Sequence, residues 1–127
     1  MAYPSGSGSE ILRRGAIHNQ VATTTSFKFD GTSPTTGTSS YAVPANHIIS
    51  LLSFSITDMT NGSHTWWFWL DLSGTEIKFN QNVPLAAKST YIWDEKIVLH
   101  PGDKLMINAN SGSNYDIFYS YIDQDWT

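Results

Sequence analysis

The sequence contains no cysteine. That absence removes a disulfide framework, a zinc–thiolate centre and a thiol nucleophile together. Charge is also sparse: charged residues make up 14% of the chain and the net charge is -4, so the basic footprint of a nucleic-acid or anionic-membrane binder is missing. No apolar run approaches the ~18 residues that span a bilayer. Residues 1–15 have no apolar core after a basic start, so a soluble chain without an export signal is expected. Helical periodicity of useful length is missing, and no internal repeat points to a solenoid or propeller.

Motifs that carry chemistry are equally scarce. His18, His47, His64 and His100 fall in four separate segments with no i,i+4 pair, and are expected as hydrogen-bonded groups rather than metal ligands. Asp58, Asp71, Glu76, Asp94, Glu95 and Asp103 are acid–base candidates by type only, and several fall where turns are expected. A Ser-His-Asp arrangement is spatial rather than sequential, but no Gly-x-Ser-x-Gly elbow is present. No glycine-rich stretch ends in Gly-Lys-Ser/Thr before a helix. Neither an enzyme nor a cofactor is expected.

What the chain does have is Ser, Thr, Gly and Asn in quantity, with aromatics at 13% of 127 residues. That balance suits one β-rich domain with many turns. The stretch HIISLLSFSITDMTNGSHTWWFWLDL, residues 47–72, organises the reading. Leu52, Phe54 and Ile56 alternate with Ser53, Ser55 and Thr57 in its first arm; His64, Trp66, Phe68, Leu70 and Leu72 alternate with Thr65, Trp67, Trp69 and Asp71 in its second. Thr60-Asn61-Gly62-Ser63 between them suits a reversing loop, so a β-hairpin is expected. Trp66 and Phe68 are then core residues, and the pleat turns Trp67 and Trp69 outward. Two indoles on an outer face need either a covering loop or contact with a subunit, a partner or a sugar ring.

Further strands are expected around this centre. Val21, Thr23, Thr25, Phe27 and Phe29 alternate with Ala22, Thr24, Ser26 and Lys28, and a polar loop follows over residues 30–37. Residues 40–43 form a short strand ended by Pro44. Ser73-Gly74 turns the chain into residues 75–79, His100-Pro101-Gly102-Asp103 forms a tight turn, and residues 110–114 reverse the chain into a closing strand over 115–122. About eight or nine short strands describe a single-domain antiparallel β-sandwich, jelly-roll-like, over residues 16–127. Residues 1–15 form an N-terminal arm. Its Gly/Ser-rich start favours flexibility, and Ile11, Leu12, Arg13 and Arg14 either fray with it or order on a partner that offers carboxylates.

Three segments together resemble small β-sandwich virion proteins of tailed bacteriophages: Tyr41-Ala42-Val43-Pro44-Ala45-Asn46-His47 entering an apolar strand, Val83-Pro84-Leu85, and Ile97-Val98-Leu99-His100-Pro101-Gly102-Asp103-Lys104-Leu105. The resemblance covers residues 41–122. It implies a capsid decoration or cement protein, found in the virion after synthesis in the host cytoplasm. Such proteins form homo-oligomers, often trimers, and dock on the major capsid protein, with no nucleic acid, membrane or catalytic residue involved. Ile11, Leu12, Arg13, Arg14, Trp67 and Trp69 are the expected partner contacts. The alternative is a glycan- or host-binding module of a phage tail or neck appendage, with Trp67, Trp69 or Trp93 as stacking platforms.

Overall fold

A computed structural model describes residues 9–21, 24–31, 41–109 and 114–126, and the side chains of residues 19–21 lie outside that set. The expected loop over 30–37 and the reversal over 110–113 fall largely outside it. All regular elements among the described residues are strands: β1 (Ser9–Val21), β2 (Thr25–Ser26), β3 (His47–Asp58), β4 (His64–Leu72), β5 (Thr75–Lys78), β6 (Val83–Leu85), β7 (Thr90–Trp93), β8 (Ile97–Leu99), β9 (Lys104–Ala109) and β10 (Asn114–Asp125). They form two five-stranded antiparallel sheets. The first runs β1-β10-β3-β7, with β8 also on β3; the second runs β2-β9-β4-β5, with β6 also on β4. The protein is an all-β sandwich of jelly-roll type.

The inner faces are aromatic. Phe54 of β3 reaches Phe27, Trp66, Phe68 and Trp93 at ring-centroid distances of 5.3, 6.0, 5.0 and 6.4 Å, linking both sheets through one side chain. Ile49, Leu51, Ile56, Leu99, Leu105, Tyr119 and Tyr121 complete a core sealed from water. Each such side chain contributes about 1.5–3 kcal/mol by leaving solvent. Tyr119 also donates its hydroxyl to the Lys28 carbonyl at 2.5 Å and accepts the Lys28 N–H at 3.1 Å, tying the chain after β2 to the opposite sheet. Burial pushes its phenol above the ordinary tyrosine range.

Several expectations change. The two arms of the central stretch are not a hairpin, because β3 pairs with β10, β7 and β8 while β4 pairs with β9, β5 and β6. The chain crosses from one sheet to the other between Asp58 and His64, so each arm buries its own inner face. The side chain of Asp58 holds this crossing by accepting from the Thr60 N–H at 2.9 Å and the Thr60 hydroxyl at 2.6 Å, with His64 Nδ1 3.0 Å away. An ionised carboxylate only accepts, so Nδ1 carries the proton. Register changes too. Tyr121 pairs with Leu51 and Ser120 with Ser53, leaving Leu52 as the extra residue of a bulge. Leu51 is therefore buried, and Leu52 leaves the row of Phe54 and Ile56.

Of the strand expected over residues 21–29, Val21 ends β1 and Thr25–Ser26 form β2, continued by a Phe27 N–H to Leu105 carbonyl bond at 2.9 Å. Val43, expected in a short strand over residues 40–43, is buried but makes only two backbone bonds to the 102–103 turn, 3.0 Å to Asp103 and 2.8 Å from Gly102. The Ser73-Gly74 hairpin is present, with both φ angles positive at 53° and 100°. So is the Pro101-Gly102 turn, in which Gly102 has φ 90° and the Asp103 N–H reaches the His100 carbonyl at 3.1 Å.

The arm is the largest correction. Ser9 to Gly15, placed in the arm by composition, pair residue by residue with Asp125 to Tyr119 of β10. The physical reason lies at Gly15, where a Cβ would overlap the ring of Tyr119. Glycine lets that ring approach the backbone of β1 closely. The flexible-arm expectation for residues 1–8 falls outside the described residues.

Candidate functional site

Alternation along β1 divides the expected arm contacts between two faces. Ile11 and Arg13 sit opposite Asp123 and Tyr121 in the inward row, whereas Leu12 and Arg14 sit opposite Ile122 and Ser120 in the outward row. Arg13 meets a carboxylate of its own chain: Nε lies 3.7 Å from Asp123 Oδ2, and Asp123 Oδ1 is 2.8 Å from His47 Nδ1. His18 and His64 likewise pair with Asp116 and Asp58, at 3.1 and 3.0 Å. Among the described residues no group of three or more His, Asp and Glu side chains is placed to hold a metal ion.

The tryptophans also separate. Trp67 is half-buried, but Trp69 is only 6% exposed, and the Lys78 ammonium stands 4.3 Å from its ring centroid. An attraction between cation and ring, together with burial, satisfies this indole within one chain. The outer face of the second sheet is therefore not the open aromatic platform that the alternation of β4 suggested.

The most exposed apolar side chains lie on the outer side of the other sheet. Leu12, Ile92, Val98 and Phe118 are 72, 67, 52 and 48% exposed, and all project from the outer side of the first sheet. Phe118 is central, with Ala16 of β1 on one side and Ser55 of β3 on the other. Two shallow grooves flank it. One, of about 440 Å³, is lined by Ala16, Ile17, His18, Ser55, Thr57 and Asp116; the other, of about 560 Å³, by Leu12, Arg14, Leu52 and Ser120. The displaced Leu52 thus forms part of a groove wall. Sequence reasoning found Leu12 and Arg14 but missed Phe118, Ile92 and Val98. The signal for Phe118 was its alternation with the buried tyrosines along β10; Ile92 and Val98 lie on the short strands β7 and β8, where the outward face shows only once their pairing with β3 is known.

No protein-family model and no curated protein matches the sequence. Among solved structures, the chain is similar to one described as Bacillus endospore appendages that form a novel family of disulfide-linked pili, with TM-score 0.54 and 13% identity over 100% of this chain and 97% of that chain. It is more distantly similar to the globular domain of zebrafish complement 1qA protein, with TM-score 0.44 and 14% identity over 87% of this chain and 92% of that chain. A third similarity is to infectious bursal disease virus, Gx strain, with TM-score 0.45 and 11% identity over 94% of this chain but 30% of that chain. At these identities the first likeness establishes the fold, and the other two add nothing to it.

Proposed function

We propose that this chain is a structural subunit of a virion, a bacteriophage capsid decoration protein that forms a homo-oligomer, a trimer, and docks on the major capsid protein. The observation that carries this reading is the outward apolar surface of the first sheet, where Leu12, Ile92, Val98 and Phe118 stand in water in the isolated chain. Patches of that kind mark interaction sites. The resemblance of residues 41–122 to small virion proteins gives the assembly its class, and a compact sandwich fits a part that acts by position rather than chemistry. With no cysteine, no disulfide links the copies. Several weak contacts engaged at once then hold the subunit on a shell.

Purified particles of the encoding phage test this reading. The chain is expected among their proteins in stoichiometric amount, and recombinant protein is expected to co-sediment with empty shells. Particles that lack the chain, or shells that fail to retain it, contradict the role. The glycan-binding alternative rested on Trp67, Trp69 or Trp93 as stacking platforms; Trp69 is covered, and Trp67 and Trp93 are half-buried.

A further inference from the structure

We infer that Asn61-Gly62 is a self-modifying site, at which the folded chain converts Asn61 to aspartate and isoaspartate with water as the only other reactant. The two reacting groups adjoin in sequence. The Gly62 amide nitrogen gives up its proton and bonds to Asn61 Cγ; the Cγ–Nδ2 bond breaks, and Nδ2 leaves with that proton as ammonia. A five-membered imide remains. Water then opens it at Cγ to give aspartate, or at the Asn61 main-chain carbonyl to give isoaspartate, whose backbone runs through the former side chain. One water is gained and one ammonia lost, so nothing is oxidised or reduced.

Local structure decides whether a folded chain permits this closure. It needs a side-chain amide and an N–H that no other bond holds, and a backbone free to turn without a Cβ in the way. The tip of the crossing between the sheets meets these needs. Asn61, Gly62 and Ser63 are exposed. Among the described residues neither the Asn61 side chain nor the Gly62 N–H makes a hydrogen bond; the bonds of this loop fall on Asp58, Thr60, His64 and the Gly62 carbonyl. A Cβ placed on Gly62 would meet only His64 Cε1, at 3.8 Å, so the imide ring has room.

Asp30-Gly31 supplies the contrast, because an aspartate before glycine can close the same imide with loss of water. There the Gly31 N–H donates to the Tyr121 hydroxyl at 3.0 Å, and the Arg13 guanidinium lies against the Gly31 Cα. The first site is open and the second is held. Because Asp58 fixes the crossing through Thr60 and His64, Asn61 can change without releasing those bonds. The product keeps the fold and carries one negative charge beyond the -4 of the encoded chain.

Incubation of the intact native chain in mildly alkaline buffer, followed by anion exchange and fragmentation mass spectrometry, tests the inference. A more acidic species is expected, converted at Asn61 with isoaspartate in excess, unconverted at Asp30, and melting with the wild type. The same chain unfolded in urea supplies the reference rate. Native conversion is expected within ~3-fold of it, since no local bond has to open first. Gly62→Ala separates chemistry from folding: the φ of Gly62 lies outside the positive region and the added methyl has space, so the variant should keep the wild-type melting temperature. Its conversion is expected to slow by about tenfold, a barrier raised by about 1.4 kcal/mol. Asn61 that stays intact in the native chain while the unfolded chain converts overturns the inference. So does a rate unmoved by Gly62→Ala, or isoaspartate at Asp30 in the native chain.

Discussion

At the scale of single residues, Asp58 shows how one carboxylate can set the path of a chain. Its side chain is sealed from solvent yet accepts from Thr60 twice and faces His64, across the point where the backbone passes between sheets. Burial pushes its pKa up, but the hydrogen bonds from Thr60 and His64 and the nearby imidazole outweigh that and hold it below the ordinary 3.8. A folded value below the unfolded one means that Asp58 stabilises the fold above the ordinary value and loses that contribution as pH falls through the folded one. Asp58→Asn is expected to cost about 2 kcal/mol at neutral pH, a fall of roughly 6–10 °C in melting temperature. The gap between variant and wild type should narrow in acid below pH 4; melting curves from pH 7 to pH 2 measure both effects. Gly15 makes a second residue-scale case. Gly15→Val forces a side chain into the Tyr119 ring, and urea denaturation is expected to show a loss of about 1–3 kcal/mol.

At the scale of elements, β1 carries the revised view of the N-terminus. Deleting residues 1–15 strips the first half of a strand whose Arg13 and Gly15 contact Asp123 and Tyr119, so the melting temperature is expected to drop by more than ~10 °C. An unchanged melting temperature would mean that this half of β1 contributes nothing to the fold. Composition pointed the other way because Gly, Ser and paired arginines read as a solvated arm, whereas pairing with β10 is a contact more than a hundred positions away in sequence. The sandwich itself was legible: strands, the Pro101-Gly102 turn and inward Trp66 and Phe68 all follow from local alternation and turn chemistry. Two features were not. A bulge at Leu52 moves side chains between faces without any local sequence signal, and the same Asn-Gly loop serves a hairpin or a crossing between sheets. What covers the outward Trp69 was not legible for a similar reason, since Lys78 meets it only through the pairing of β4 with β5.

At the scale of the whole molecule, the two outer faces are unequal. On the second sheet Trp69 is covered and Trp67 half-buried, while the first sheet presents Leu12, Ile92 and Val98 around Phe118. A small domain leaves scattered apolar residues exposed as a matter of course, but four on one sheet face form a surface that another molecule can dry. The central claim is that the chain forms a homo-oligomer. Light scattering coupled to size-exclusion chromatography of the unmodified protein, at about 10 µM, within the affinity range of specific complexes, tests it most directly. A single species at three times the chain mass of 14.1 kDa is predicted; a clean monomer at that concentration would contradict the account.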